Sequence, residues 1–247
     1  MDSPATFRSS APLAQPPLLR LGLAAARANA LPALILWITG AGIVAAFYFW
    51  PAAQPLFERV SEWRSSFGLL YPMVSTAIFA AIIPYFMQSL QKASAPRHWG
   101  IGYFAFLLVF WALKGIEVDV LYRFQAWLFG EGISWQILVP KVFFDQFVYV
   151  PLWAAPSLVV GMLFAHGGYS WQSLRRNHLH AGWYRRLVLP VIIPNWLVWV
   201  PAVILIYLLP TDLQLPMQNI VLCLWVLMVM FMTGQQSAEA LSRPENL

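Results

Sequence analysis

Charge is what this sequence has least of. Lys and Arg number 15 and Asp and Glu 10, together 10% of 247 residues, against roughly 25% in ordinary soluble domains. So few charges cannot cover a soluble surface of this size. Cysteine is nearly missing as well, since Cys223 is the single copy. One thiol makes no internal disulfide, so nothing indicates an oxidising compartment, and Cys223 reads as a small apolar packing residue. Catalytic constellations are missing too. No paired carboxylates, metal triad or Ser/His/Asp set falls at one depth, and His166, Glu117 and Asp119 are scattered, so no enzyme is expected. His178 and His180 are two apart and do not share a helix face, so no metal and no cofactor are expected either. The net charge of +5 sits in short segments and does not suggest nucleic acid.

What is there is long uncharged runs. Hydrophobic residues supply 60% of the chain. Ala28 to Phe57 and Ser65 to Gln91 carry no charge, and Leu187 to Thr211 and Leu213 to Ala238 are divided only by Asp212. Each is long enough for a span, which takes about 20 mostly apolar residues. His98 to Leu113 is shorter and extends only through Lys114, Glu117 and Asp119. The runs are continuous, without the alternation of barrel strands, so helices must satisfy the backbone inside a bilayer. The expectation is an all-α polytopic membrane bundle of six spans, within a range of four to six, the third being the least complete. The domains read as a tail over 1–27, a transmembrane bundle over 28–236 and a C-terminal tail over 237–247.

The first 27 residues hold Arg8, Arg20 and Arg27 against one acid, Asp2. The apolar run that follows is longer than the roughly 7–15 residues of a secretory signal. A short cytosolic tail before an uncleaved span fits, with a mitochondrial presequence the alternative. With six spans, the inner segments hold Arg8, Arg20, Arg27, Lys92, Arg97, Arg175, Arg176, Arg185, Arg186 and Arg243. The outer ones hold Arg59, Arg64, Lys114, Arg123 and Lys141. That bias puts both termini inside. Arg175, Arg176, Arg185 and Arg186 form the most basic segment and are expected to meet lipid headgroups. Most tryptophans near span ends read as interfacial anchors.

Prolines punctuate the spans at 72, 84, 151, 156, 190, 194, 201 and 216. Each removes a backbone bond and tends to kink its helix. Within this apolar chain, Lys141 and Asp145 lie four apart, with Gln146 beside them, and no further charge follows until Arg175. An ionisable residue at membrane depth is by default a functional-site hypothesis. Lys141 and Asp145 share a helix face, so Asp145 is expected to point inward and to meet Lys141, Lys114 or Arg123. Lys141, Asp145 and Gln146 are thus candidates to line a pathway, and equally candidates for a packing ion pair.

Two motifs follow. One is Lys141-x3-Asp145-Gln146-x4-Pro151. The other is Asn195-Trp196-x-Val198-Trp199-x-Pro201, then Pro210-x2-Leu213-Gln214, Asn219 and Trp225. As a set they resemble the family of small membrane proteins that contains Mpv-seventeen and the twenty-two-kilodalton peroxisomal membrane protein, over roughly residues 71 to 230. There are departures. The family's Gln and Asn after the Trp-x-Pro element fall on Val203 and Ile206, its arginine falls on Gln214, and its Tyr-Leu-Ser after the last Trp is absent. The resemblance implies an integral membrane protein, in a family some of whose members are thought to form pores for small solutes. The expected function is therefore a pore, channel or transporter for a small solute, and the alternative a structural or assembly protein without transport. Expected partners are the lipid bilayer and a small solute, with a homo-oligomer left open. The expected location is a bacterial inner membrane, with the mitochondrial inner or peroxisomal membrane as alternatives. Asn195 is expected to bond across helices, and the indole N–H of Trp196 or Trp199 to be bonded against another span.

Overall fold

A computed structural model describes residues 30–90 and 100–242. The expected tail over 1–27 lies outside them, as do Lys92, Arg97 and Arg243. The described residues fold into helices, with no strand among them.

The first helix, α1 (Ala30–Phe49), has 20 residues, which at about 1.5 Å per residue spans about 30 Å. It stops where Trp50 precedes Pro51, because proline disfavours the helical conformation in the residue before it. Trp50 is extended, with φ −120° and ψ 90°. The chain then turns by 99° between Ala33–Phe49 and Pro51–Phe67 into α2 (Gln54–Phe67). Next come α3 (Leu70–Ala77) and α4 (Ile83–Leu90), joined by a π turn over Ile78–Ile82. After them runs α5 (Ile101–Phe129). Helices α6 (Trp135–Phe143) and α7 (Ala155–His166) are joined by a long π segment, Phe144–Ala154. Short α8 (Trp171–Asn177) and a π turn, Tyr184–Val188, lead into α9 (Leu189–Tyr207), and α10 (Thr211–Ser242) completes the described chain.

The π turns have a common cause in the sequence. A proline ring collides with the carbonyl four residues earlier and offers no N–H in return. For Pro84, Pro151 and Pro190 those carbonyls belong to Ala80, Phe147 and Arg186. Each lies inside a π turn, where the wider coil relieves the collision. The kinks expected from proline thus appear at these three sites as widened turns. Pro194, Pro201 and Pro216 sit within ordinary α-helix.

Among the described residues, three helices are long and apolar enough to cross a membrane: Leu70–Met87, Trp135–His166 and Tyr184–Tyr207. The bent α1–α2 pair makes a fourth if counted as one span. An all-helical fold is thus found, with three to four candidate spans by length and composition where six were expected. Helix α5 carries Lys114, Glu117, Asp119 and Arg123 and is not among the candidates.

The main core lies where α1, α9 and α10 meet, around Leu36, Val198, Ile206, Leu215 and Met217. The indole of Trp37 donates to the Val198 carbonyl at 2.8 Å and ties α1 to α9. Helix α5 presses against α3 at Gly115. A Cβ there would collide with the Pro72 carbonyl and the Thr76 hydroxyl. Glycine is what permits this approach.

One buried ion cluster pins α2 to α5 and α10. Arg64 donates from Nη2 and Nε to Asp119 Oδ1 at 2.7 and 3.2 Å. Its Nη1 also pairs with the half-exposed Asp212, and Arg123 Nε reaches Asp119 Oδ2 at 2.7 Å. Asp119 is 0% exposed and Arg64 2%.

Candidate functional site

The π segment after Phe143 presents Asp145 and Gln146 to the interior, where both are buried. They line a cavity of about 550 Å³, a size ordinary for a small-molecule site. The walls come from far-apart stretches of the chain. Helix α5 gives Trp111, Lys114 and Tyr122, α9 gives Asn195 and Trp199, and α10 gives Gln218, Asn219 and Trp225. The rim includes Pro190 and Val191, both exposed.

Among the described residues, two charged side chains line this cavity, Lys114 and Asp145. Lys114 is fully engaged. Its ammonium donates to both Glu117 oxygens at 2.8 and 2.9 Å and to Ser157 at 2.6 Å. Tyr149 donates to the same Glu117. Asp145 is different: it accepts from Tyr207 at 2.7 Å and from Gln146 Nε2 at 2.8 Å, and Tyr207 in turn accepts from Gln125 at 2.7 Å. Both donors that reach Asp145 are neutral, and no cation among the described residues pairs with it.

The expected pairing of Asp145 with Lys141, Lys114 or Arg123 is therefore corrected. Lys114 takes Glu117 and Arg123 takes Asp119. Lys141 is buried on the far side of Tyr207, with its ammonium 5.9 Å from that ring's centroid. The four-residue spacing fails to pair because the helix changes coil between the two residues, α up to Phe143 and π from Phe144. Lys141 lines a second cavity of about 160 Å³ with Glu131, Thr211 and Gln214. Asn195 is also corrected. It faces the large cavity and makes no side-chain hydrogen bond among the described residues. The tryptophan expectation holds for Trp196, whose Nε1 donates to the Gln146 carbonyl at 2.7 Å.

Of the other motif residues, Pro151 offers its carbonyl to Tyr184 at 2.9 Å. Asn219 accepts from Thr76 at 2.9 Å and donates to Ser75 at 3.1 Å, joining α10 to α3. Gln214 donates to Leu209 at 3.0 Å. Pro201 is half-buried within α9, and exposed Pro210 accepts from the Leu213 amide at 2.8 Å. Arg175, Arg176, Arg185 and Arg186 are all exposed, the first two in α8 between two candidate spans and the last two in the π turn that opens the candidate span Tyr184–Tyr207. Among the described residues, three buried amide oxygens have no donor: Oε1 of Gln125, Gln146 and Gln214.

Tyr207, Gln125, Gln218 and Arg64 escaped the sequence reading. Gln125 carried a signal, as a polar residue one turn from Tyr122 on a helix that buries both. Arg64 carried none, because its partner is 55 residues away.

Fold and site together define a class: an all-helical protein, with helices long and apolar enough to cross a membrane, built around a partly polar internal cavity. Comparison of the chain with protein-family models, curated proteins and solved structures finds no match.

Proposed function

We propose that this protein is an integral membrane channel or transporter for a small solute. The observation that carries the reading is convergence on one cavity. Asp145 and Gln146 from one motif, and Asn195, Trp199, Asn219 and Trp225 from the other, line the same 550 Å³ space. Polar and ionisable side chains inside a membrane bundle commonly mark a solute path. The motif resemblance supports the same reading. Six crossings follow if α5 and α10 also cross and the bent α1–α2 pair counts once. Both termini are then inside, in a bacterial inner membrane or its organellar equivalents.

The test is solute flux into liposomes carrying the purified protein, with glycerol, glucose and small amines as probes. The expected result is entry of at least one class faster than into protein-free vesicles. Leu158 lines the cavity, and Leu158→Trp should slow that entry. Flux equal to protein-free vesicles for every probe overturns the reading. The second reading, an assembly protein without transport, is favoured by the Arg64–Asp119–Asp212 cluster, which fastens three helices and lies apart from the cavity lining.

A further inference from the structure

The lining chemistry of the large cavity is lopsided. Its cation is neutralised within the protein, Lys114 by Glu117. Its anion is not, because Asp145 meets only the neutral donors Tyr207 and Gln146. A carboxylate offers about four lone-pair sites, and these two bonds leave acceptor capacity. Beside it, Gln146 is 2% exposed and its Oε1 has no donor. Both residues line the cavity. An unpaired buried charge and an unpaired buried carbonyl are each costly. The same group relieves both: a cation that carries N–H donors. The rest of the lining is largely apolar and aromatic, with Trp111, Trp199 and Trp225 among it. Tryptophan faces attract organic cations and also accommodate an apolar body.

We infer that the cavity takes a small organic ammonium, a protonated amine on an apolar or aromatic body, with its N–H groups at Asp145 and Gln146 Oε1. This deepens the transport reading by naming the solute class, and it rests on that reading only for the claim of passage. An inorganic cation would find one carboxylate, Asp145, and otherwise neutral amide and hydroxyl oxygens, and would leave the apolar and aromatic walls without a partner. An organic anion would meet Asp145 with no free cation in the lining.

The test uses the full chain in lipid nanodiscs and three probes of one shape: benzylammonium, benzyl alcohol and phenylacetate. Calorimetry should show benzylammonium binding about tenfold or more tighter than benzyl alcohol, as expected when a charge-assisted bond replaces a neutral one, and no binding of phenylacetate. Asp145→Asn should erase the preference for benzylammonium. Leu158→Trp narrows the cavity without touching a charge, and should weaken benzylammonium binding several-fold. If Asp145→Asn does not fold, the wild-type ranking and Leu158→Trp still decide. Equal binding of the amine and the alcohol, tighter binding of phenylacetate, or amine binding untouched by Leu158→Trp overturns the inference. Amine binding without flux keeps the ligand class and removes transport. Flux of neutral solutes with no preference for the amine does the reverse.

Discussion

Tyr207 donates its hydroxyl to Asp145 across 2.7 Å, and the same oxygen accepts from Gln125 across 2.7 Å. Three helical segments meet in that chain: α5 through Gln125, α9 through Tyr207 and the π segment through Asp145. Each bond ends on a group buried from solvent. The edge of the Tyr122 ring packs on Tyr207, with centroids 5.4 Å apart and planes at 81°. The centre of the bundle is therefore held by hydrogen bonds from neutral donors that lead to one acid. The salt bridges lie elsewhere.

The two buried aspartates should respond differently to loss of charge. Asp119→Asn leaves Arg64 buried without its main counter-charge, and breaking such a pair costs about 3–5 kcal/mol. Half-exposed Asp212 retains part of the pairing, so the lower end is expected. Asp145→Asn strands no cation and keeps an acceptor for Tyr207, so about 1–2 kcal/mol is expected. Chemical unfolding of both variants in detergent checks the order, and a larger loss for Asp145→Asn would contradict it.

Gly115→Ala should reverse the usual sign. In an open helix the change typically gains about 0.5–1 kcal/mol. Here the new methyl meets the Pro72 carbonyl and the Thr76 hydroxyl. Overpacking of this kind costs about 1–3 kcal/mol. A lowered unfolding temperature is expected, and unchanged or raised stability would show that α5 does not press on α3.

Neighbours Asn195 and Trp196 should separate stability from passage. Trp196→Phe removes the bond to the Gln146 carbonyl, worth about 0.6 kcal/mol on average in membrane proteins. Asn195→Ala removes no hydrogen bond, so stability should hardly change while the rate of solute entry changes, because Asn195 faces the cavity. Parallel unfolding and liposome-flux measurements test this. A destabilised Asn195→Ala with unchanged flux would assign Asn195 to packing instead.

The exposed basic segment from Arg175 to Arg186 should govern lipid preference. Replacing Arg175, Arg176, Arg185 and Arg186 together with glutamine should lower the share of anionic lipid that co-purifies with the protein, since exposed basic clusters draw such headgroups. Lipid analysis by mass spectrometry gives the readout. An unchanged share would mean that these arginines do not meet the headgroups.

The sequence made the helical membrane class legible because uncharged runs near 20 residues have few other uses. It made Asp145 legible as an inward-facing residue, because charge inside such a run needs shelter, and marked its neighbour Gln146 only as a candidate. It misjudged their partners because four-residue spacing presumes one uniform coil, and Pro151 widens the coil that Asp145 enters. The ion pair of Arg64 with Asp119 was out of reach, since it depends on how α2 folds back after the bend at Trp50. The cavity was out of reach for the same reason: its walls come from helices more than 100 residues apart.

The ring of Tyr207 walls the smaller cavity, while its hydroxyl is held by Asp145 on the wall of the larger. The two chambers thus share a septum about one side chain thick. The Tyr207 ring is buried in the main core against Tyr122, and its hydroxyl is tied to Asp145 on one side and Gln125 on the other, so the partition is built into the packing of the bundle itself.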